Sequence, residues 1–364
     1  MAYTTIDKPS DYFDTLLYTG DNSNRTFSGL DFQPDLAWIK ARNNTTWHLL
    51  YDAVRTAGTG KELHSNSTQA EGASNSSLYG YLSAFTSDGF STVNGSNATD
   101  ALNQSDKTYA AWNWKAGDTN TSVSASGSGN NAINACTHRA NTTAGFSIIK
   151  YTGLNSEISN GQKTKVTHGL GVKPDFLIIK DRDGTSNWIV TRGIDNDTHT
   201  VLNATNAQSG SLFTGNQNQS DSTHFVVGNE GAVNANGDEF IAYCFAEKQG
   251  YSKFGSYTGN GNADGTFAYT GFKPAWILIK RYSTAGNDWG LFDNKRLGFN
   301  VDNEELRPSS NDVEQTDDRL DILSNGFKIR LAGAGFNASG DTFIYMAFAE
   351  APLVNSNGVP ANAR

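Results

Sequence analysis

One phrase occurs three times along the chain, and it constrains the fold more than any other feature. Gln33-Pro34-Asp35-Leu36-Ala37-Trp38-Ile39-Lys40, Val172-Lys173-Pro174-Asp175-Phe176-Leu177-Ile178-Ile179-Lys180 and Phe272-Lys273-Pro274-Ala275-Trp276-Ile277-Leu278-Ile279-Lys280 each read as a proline, a short apolar run and a lysine. A Tyr-Thr-Gly turn precedes each copy, at Tyr18-Thr19-Gly20, Tyr151-Thr152-Gly153 and Tyr257-Thr258-Gly259. A tryptophan follows each, at Trp47, Trp188 and Trp289, and each unit closes on an aromatic-rich stretch, at residues 109–116, 240–247 and 343–350. Four landmarks in one order, three times over, indicate a fold built by duplication. The unequal intervals place insertions in loops between fixed strands. The 364 residues then divide into units of ordinary domain size, 1–117, 145–250 and 251–364. Residues 118–144 are rich in Ser, Asn, Thr and Gly and read as a linker or long loop.

Short apolar or alternating runs bounded by Gly, Asn, Asp and Ser predict an all-β chain of three tandem β-sandwich, jelly-roll-like modules. No stretch sustains a helical period. The runs before Lys180 and Lys280 are apolar on both faces, which predicts central strands buried on both sides. The proline is expected at the strand's first residue, and the terminal Lys40, Lys180 and Lys280 are expected to reach solvent or an acid. Asp88-Gly89-Phe90 and Asn325-Gly326-Phe327 read as tight hairpins whose glycine supplies positive φ.

The net charge of −9 and the lack of a basic stripe argue against nucleic acid. Apolar runs of about five residues are too short for membrane insertion, which takes ~20. Cys136, in the presumed linker, and Cys244, in an apolar closing strand, do not form a disulfide framework. The N-terminus lacks a basic-then-apolar leader, so synthesis in a cytoplasm is expected. None of the histidines stands at metal-ligand spacing, and no nucleophile elbow or phosphate loop is present. Asp195-Asn196-Asp197 and Asp317-Asp318 with Asp321 are acid clusters without the rest of a calcium cage. No catalytic residue, metal or cofactor is therefore expected, and the chain reads as a non-enzyme.

Candidate binding residues come from the repeat itself. Trp47, Trp188 and Trp289 either pack in the core or offer rings for sugar stacking. Asp52 and Arg55, with Asp293 and Arg296, share an acid-x-x-Arg spacing, read either as a local ion pair or as a polar pocket repeated on two units. The second unit carries Thr191-Arg192-Gly193 there and lacks the acid.

The run 145–153 followed by 168–180, with the closing sequences 109–117 and 344–360, resembles a repeat of tail and fibre proteins of tailed bacteriophages, often marine ones. The resemblance spans about Tyr18 to the end, and its motifs are structural. It implies a virion protein on the external surface of the particle, working with other virion proteins and as a homo-oligomer. The chain has no heptad or collagen-like stem, so a compact appendage is expected rather than a shaft. Host attachment through a surface glycan is the first reading. A capsid or tail decoration protein that binds only virion partners is the second. A polysaccharide depolymerase is the third, weakened by the absence of a short solenoid period.

Overall fold

The computed structural model describes residues 3–96, 101–155, 163–192, 198–210, 220–296, 300 and 304–360. Their regular secondary structure is almost wholly antiparallel β-sheet, and their helices are single turns. The first repeat holds β1 (Phe13–Thr19), β2 (Arg25–Ser28), β3 (Leu36–Ala41), β4 (Leu49–Asp52), β5 (Leu63–His64), β6 (Tyr81–Thr86), β7 (Gly89–Val93) and β8 (Thr108–Trp114). Next come β9 (Thr121–Val123), β10 (Cys136–Asn141), β11 (Phe146–Thr152), β12 (Thr164–Thr167), β13 (Phe176–Asp181), β14 (Ile189–Arg192), β15 (Thr200–Val201), β16 (His224–Val227) and β17 (Glu239–Phe245). The third repeat holds β18 (Ser252–Thr258), β19 (Phe267–Tyr269), β20 (Phe272–Arg281), β21 (Gly290–Asp293), β22 (Leu320–Leu323), β23 (Gly326–Ile329) and β24 (Thr342–Pro352).

The large sheets share one strand order. It is β1-β8-β3-β4-β5 in the first repeat, β11-β17-β13-β14-β15 in the second and β18-β24-β20-β21 in the third. A Leu291–Leu306 bridge stands where the third repeat's fifth strand would lie. Each repeat also has a small sheet: β2-β7-β6, β12-β16 and β19-β23-β22. The repeated phrase forms β3, β13 and β20, which are buried over all or nearly all their length.

Alternation explains why both faces of these strands are apolar. Ala37 and Ile39 of β3 pack with Phe27, Leu82 and Phe90 of the small sheet. Leu36 and Trp38, on the other face, join a cluster shared with Phe176 and Ile178 of the second repeat and Trp276 and Leu278 of the third. The three repeats thus have private cores on one side and a common core on the other. Trp276 lies at its centre, with ring centroids 5.4 Å from Trp114, 5.9 Å from Phe348 and 6.4 Å from Trp38. An apolar void of about 10 Å³ remains between Trp38, Ile178, Tyr243 and Trp276, too small to serve as a ligand site.

Several expectations need correction. Residues 118–144 are not a plain linker: β9 and β10 extend the second repeat's large sheet beyond β11. Cys136 lies in β10 and is buried, and both cysteines are free. Lys40, Lys180 and Lys280 reach neither solvent nor an acid. Each is fully buried and donates to main-chain carbonyls: Ala41 and Asn44, Asp181 and Gly184, Asn287 and Thr205. Pro34 and Pro174 precede their strands, whereas Pro274 lies inside β20 at a break in register. The Tyr-Thr pairs end β1, β11 and β18 instead of forming turns.

The two hairpins are present, but Gly89 and Gly326 are the first strand residues after the turn. Neither has positive φ. A Cβ there would lie 1.9 Å from the Phe27 carbonyl oxygen or 2.1 Å from that of Ala268, so the glycine is needed for close strand approach.

Candidate functional site

Strand register shows which repeat positions correspond. Ile39 pairs with Leu49, Ile179 with Ile189 and Ile279 with Gly290. The residues just before those partners are His48, Trp188 and Trp289, so Trp47 is displaced by one position from the other two tryptophans. In extended structure a one-residue shift turns a side chain to the opposite face. Trp188 and Trp289 are accordingly buried. The Trp188 Nε1–H donates to the His64 carbonyl at 2.8 Å, and that of Trp289 to the Val201 carbonyl at 2.9 Å. His48 accepts from Trp38 Nε1–H at 3.1 Å and faces the Arg307 backbone. The second repeat therefore contacts the first, the third the second, and the first the third.

Main-chain hydrogen bonds repeat the cycle. Glu71 N–H donates to the Arg182 carbonyl, Gln208 to that of Tyr282 and Glu314 to that of Arg42, each at 2.8 Å. At two joints charges are added. Arg182 pairs with Glu71, which pairs with Arg55 at 3.1 Å, and Arg55 pairs with Asp52. Asp52 also accepts from the Tyr243 hydroxyl at 2.9 Å. Arg42 pairs with Glu314 at 2.9 Å, Glu314 with Arg296 at 2.8 Å, and Arg296 with Asp293 at 2.6 Å. Asp293 accepts from Trp112 Nε1–H at 2.8 Å. At the remaining joint the corresponding residues are Tyr282, Gln208, Arg192 and Met346, and the donor and the acid are lost together. Burial opposes ionisation of Asp293, but Arg296 and the Trp112 indole hold its carboxyl below the usual range. Glu71 likewise is held at about 2: burial opposes, and the Arg182 and Arg55 guanidinium groups prevail.

Two clefts lie at corresponding places beside these joints. The first, about 280 Å³, is lined by Thr45, Thr46, Trp47, Tyr79 and Ala101, with Asn311 contributed by the third repeat. Trp47 is half-buried. One ring face stacks on His64 at 4.9 Å, and Tyr79 meets it edge-on at 5.3 Å. Burial lowers the His64 imidazole to about 4, so it stacks as a neutral ring. The second cleft, about 330 Å³, lies in the third repeat and includes Asp288, Glu305, Arg307, Arg319, Gly335 and Phe336. Asp288 corresponds to Trp47 and Arg307 to His64. Gly335 corresponds to Ala101, because Leu102 and Phe336 both offer their carbonyls to the repeated tyrosine hydroxyl, of Tyr18 and Tyr257. One position has thus acquired aromatic chemistry in the first repeat and ionic chemistry in the third.

The family described as a domain of unknown function (DUF7483) matches residues 8–352, across all three repeats. The chain belongs to this family. No curated protein and no solved structure matches it.

In this DUF7483 domain, six of the seven residues singled out from the sequence, Asp52, Arg55, Asp293, Arg296, Trp188 and Trp289, lie buried at the inter-repeat joints. They offer a ligand no surface. Trp47 alone borders a cleft. Asp195-Asn196-Asp197 lies outside the described residues. Asp317 pairs with Arg319 at 2.7 Å and Asp321 with Arg330 at 3.4 Å. Among the described residues no group of three or more His, Cys, Asp and Glu is arranged to hold a metal, and no helix is long and apolar enough to cross a membrane. The Glu305–Arg307–Arg319 cluster was missed, because these residues meet across a loop and two strands with no motif spacing. Asn311 reaches the Trp47 cleft only because the third repeat closes on the first, and Tyr79 only through the folding of the first repeat itself, so neither is marked by spacing along the chain.

Proposed function

We propose that this chain is an external structural protein of a tailed-phage virion, and that it attaches to a host-surface glycan through the Trp47 cleft. The cleft is the observation that carries this reading. An indole backed by His64 and walled by Tyr79 is a rigid apolar platform, and Thr45 and Asn311 place polar groups at its edge. Flat apolar contact with hydrogen-bonding groups around it is what a sugar ring requires. The virion setting is supported by the resemblance of the repeats to phage tail and fibre proteins. We read each large and small sheet pair as one sandwich module, with three modules joined around the common core. Other virion proteins are the expected permanent partners.

A decoration role has one observation in its favour: Phe267 and Tyr269 are exposed on the edge strand β19, and apolar edges are sites of association. Screening the protein and Trp47→Ala on a glycan array, with immunogold labelling of intact particles, separates the readings. Attachment predicts glycan binding that Trp47→Ala loses, and gold at the tail. Gold over the head and no glycan signal would refute attachment and leave decoration.

A further inference from the structure

We infer that the third repeat takes an extended segment of a partner polypeptide along the open edge between β18 and β19, a segment with an apolar residue and, four residues on, an acid. The second repeat shows how such a segment sits, because residues 132–141 close its sandwich along the corresponding edge. Lys165 of β12 donates its N–H to the Ala132 carbonyl and accepts from the Asn134 N–H, both at 2.8 Å. Thr152 N–H donates to the Ala135 carbonyl at 3.1 Å, and Cys136–Asn141 then pair antiparallel with β11. Among the described residues neither other repeat has such a segment. The positions correspond through Tyr18, Tyr151 and Tyr257, each of which meets a phenylalanine of its small sheet edge-on, at Phe90, Phe225 and Phe327. Strand register then equates Lys165 with Thr26 and Phe267, and Lys150 with Leu17 and Ser256.

Antiparallel pairing uses every second residue of a strand, and the bonds from Gly259 to Asp341 and from Thr270 to Asn325 fix which ones. The N–H and C=O groups of Ser256 and Phe267, and the N–H groups of Thr258 and Tyr269, therefore point outward. They have no partner among the described residues, and all four residues are exposed. The Thr258 carbonyl accepts from the Thr266 hydroxyl at 2.7 Å and that of Tyr269 from the Tyr345 hydroxyl at 3.2 Å, which holds the two edges side by side. In the first repeat the same edge is blunted by charge. Arg25 donates to the Thr19 carbonyl at 2.9 Å and covers the Phe27 ring, and Asp14 caps the Thr15 N–H at 2.8 Å. The third repeat instead exposes Phe267 and Tyr269. Lys253 and Lys328 are neutralised there by Glu247 and Asp264. Arg192 of the second repeat lies 3.5 Å from the Ser256 hydroxyl and has no carboxylate partner among the described residues. In the second repeat Ile133 bridges to Lys165 and Thr137 stands opposite Lys150. Carried to the third, the first position falls beside the Phe267 ring and takes an apolar residue. The second falls opposite Ser256, where an acid meets Arg192. Main-chain bonds supply the affinity of such strand addition, and these two positions its selectivity. The inference does not depend on the Trp47 cleft, and either can fail alone.

The probe is a fluorescent peptide with the sequence of residues 130–138, carrying Cys136→Ser and Thr137→Asp, titrated with the intact chain and followed by anisotropy. The expected result is a submillimolar Kd, at least about twofold weaker when Thr137 is restored. Ser256→Pro removes an outward N–H without touching the ladder to β24, and should weaken binding by about fivefold or more. Leu17→Pro, the matched change on β1, should leave it unchanged. No binding at millimolar concentration, equal binding of the two peptides, or equal loss with Leu17→Pro would overturn the proposal. If Ser256→Pro fails to fold, amide exchange of the wild type decides. Protection of the Ser256 and Phe267 amides by the peptide is expected, and protection confined to β11 and β12 overturns the proposal. Sedimentation of the chain alone covers the other occupant: self-association that Ser256→Pro abolishes would assign the edge to a second copy and overturn the partner strand.

Discussion

Lys40, Lys180 and Lys280 are ammonium groups satisfied by main-chain oxygens in the turn after the buried strand, so their desolvation is not offset by a neighbouring carboxylate in hydrogen-bond contact. Burial lowers Lys40 to about 7 and Lys180 and Lys280 to about 8, from 10.5 for a free lysine. Across that window the unfolded chain binds more protons than the folded one, so stability rises with pH above about 7 to 8 and levels off near 10.5. Each lysine adds a slope of about 1.4 kcal/mol per pH unit within its own window. Thermal unfolding between pH 6.5 and 9.5 should show the rise, and Lys40→Met should remove it between about pH 7 and 8 and lower the steeper part above pH 8 by about one third. A flat profile in the wild type would contradict the burial of these amines. The tryptophans give a second contrast at this scale. Trp276→Ala empties the centre of the common core and should cost about 3–5 kcal/mol in urea unfolding. Trp47→Ala removes a half-buried ring at a cleft and should cost clearly less, with its effect falling on ligand binding.

The strands carrying the repeated phrase were legible as elements because continuous apolar runs such as Ile277-Leu278-Ile279 fit only a strand covered on both faces. What covers the second face was not legible, since Trp38, Ile178 and Leu278 meet only when three separate repeats converge. The acid-x-x-Arg spacing correctly marked a local ion pair, but Glu71, Arg182, Glu314 and Arg42, which extend it between repeats, sit at no fixed distance from it. β10 escaped notice because Cys136 and His138 are its only buried residues, too few to stand out as an apolar run. The joints yield their own predictions. Arg55→Met leaves Asp52 buried without its cation and should cost about 3–5 kcal/mol. Tyr243→Phe removes one hydrogen bond to a charged group and should cost about 1.5–3 kcal/mol. Glu71 has a folded-state pKa of about 2 against a normal 4.5, so its contribution is present above pH 4.5 and is lost as pH falls toward 2. Acid titration of the wild type beside Glu71→Gln should show this loss in the wild type alone.

At the scale of the whole molecule, three repeats close into a ring around one apolar core, and the Trp47 cleft is completed by that closure, through Asn311 of the third repeat. Contacts between the first and third repeats, such as Arg42 with Glu304 and Glu314, and the Ser65 hydroxyl on the Pro308 carbonyl at 2.9 Å, join segments at opposite ends of the chain. Such a molecule should unfold as a unit, because removing any repeat exposes tryptophans of the other two. The measurement that tests this most directly is urea unfolding of the intact chain, followed in parallel by tryptophan fluorescence, far-ultraviolet circular dichroism and amide exchange resolved by repeat. One coincident transition, with core amides of all three repeats exchanging at the same free energy, is the predicted result. Separate transitions for the three repeats would contradict a shared core and return the chain to independent modules in tandem.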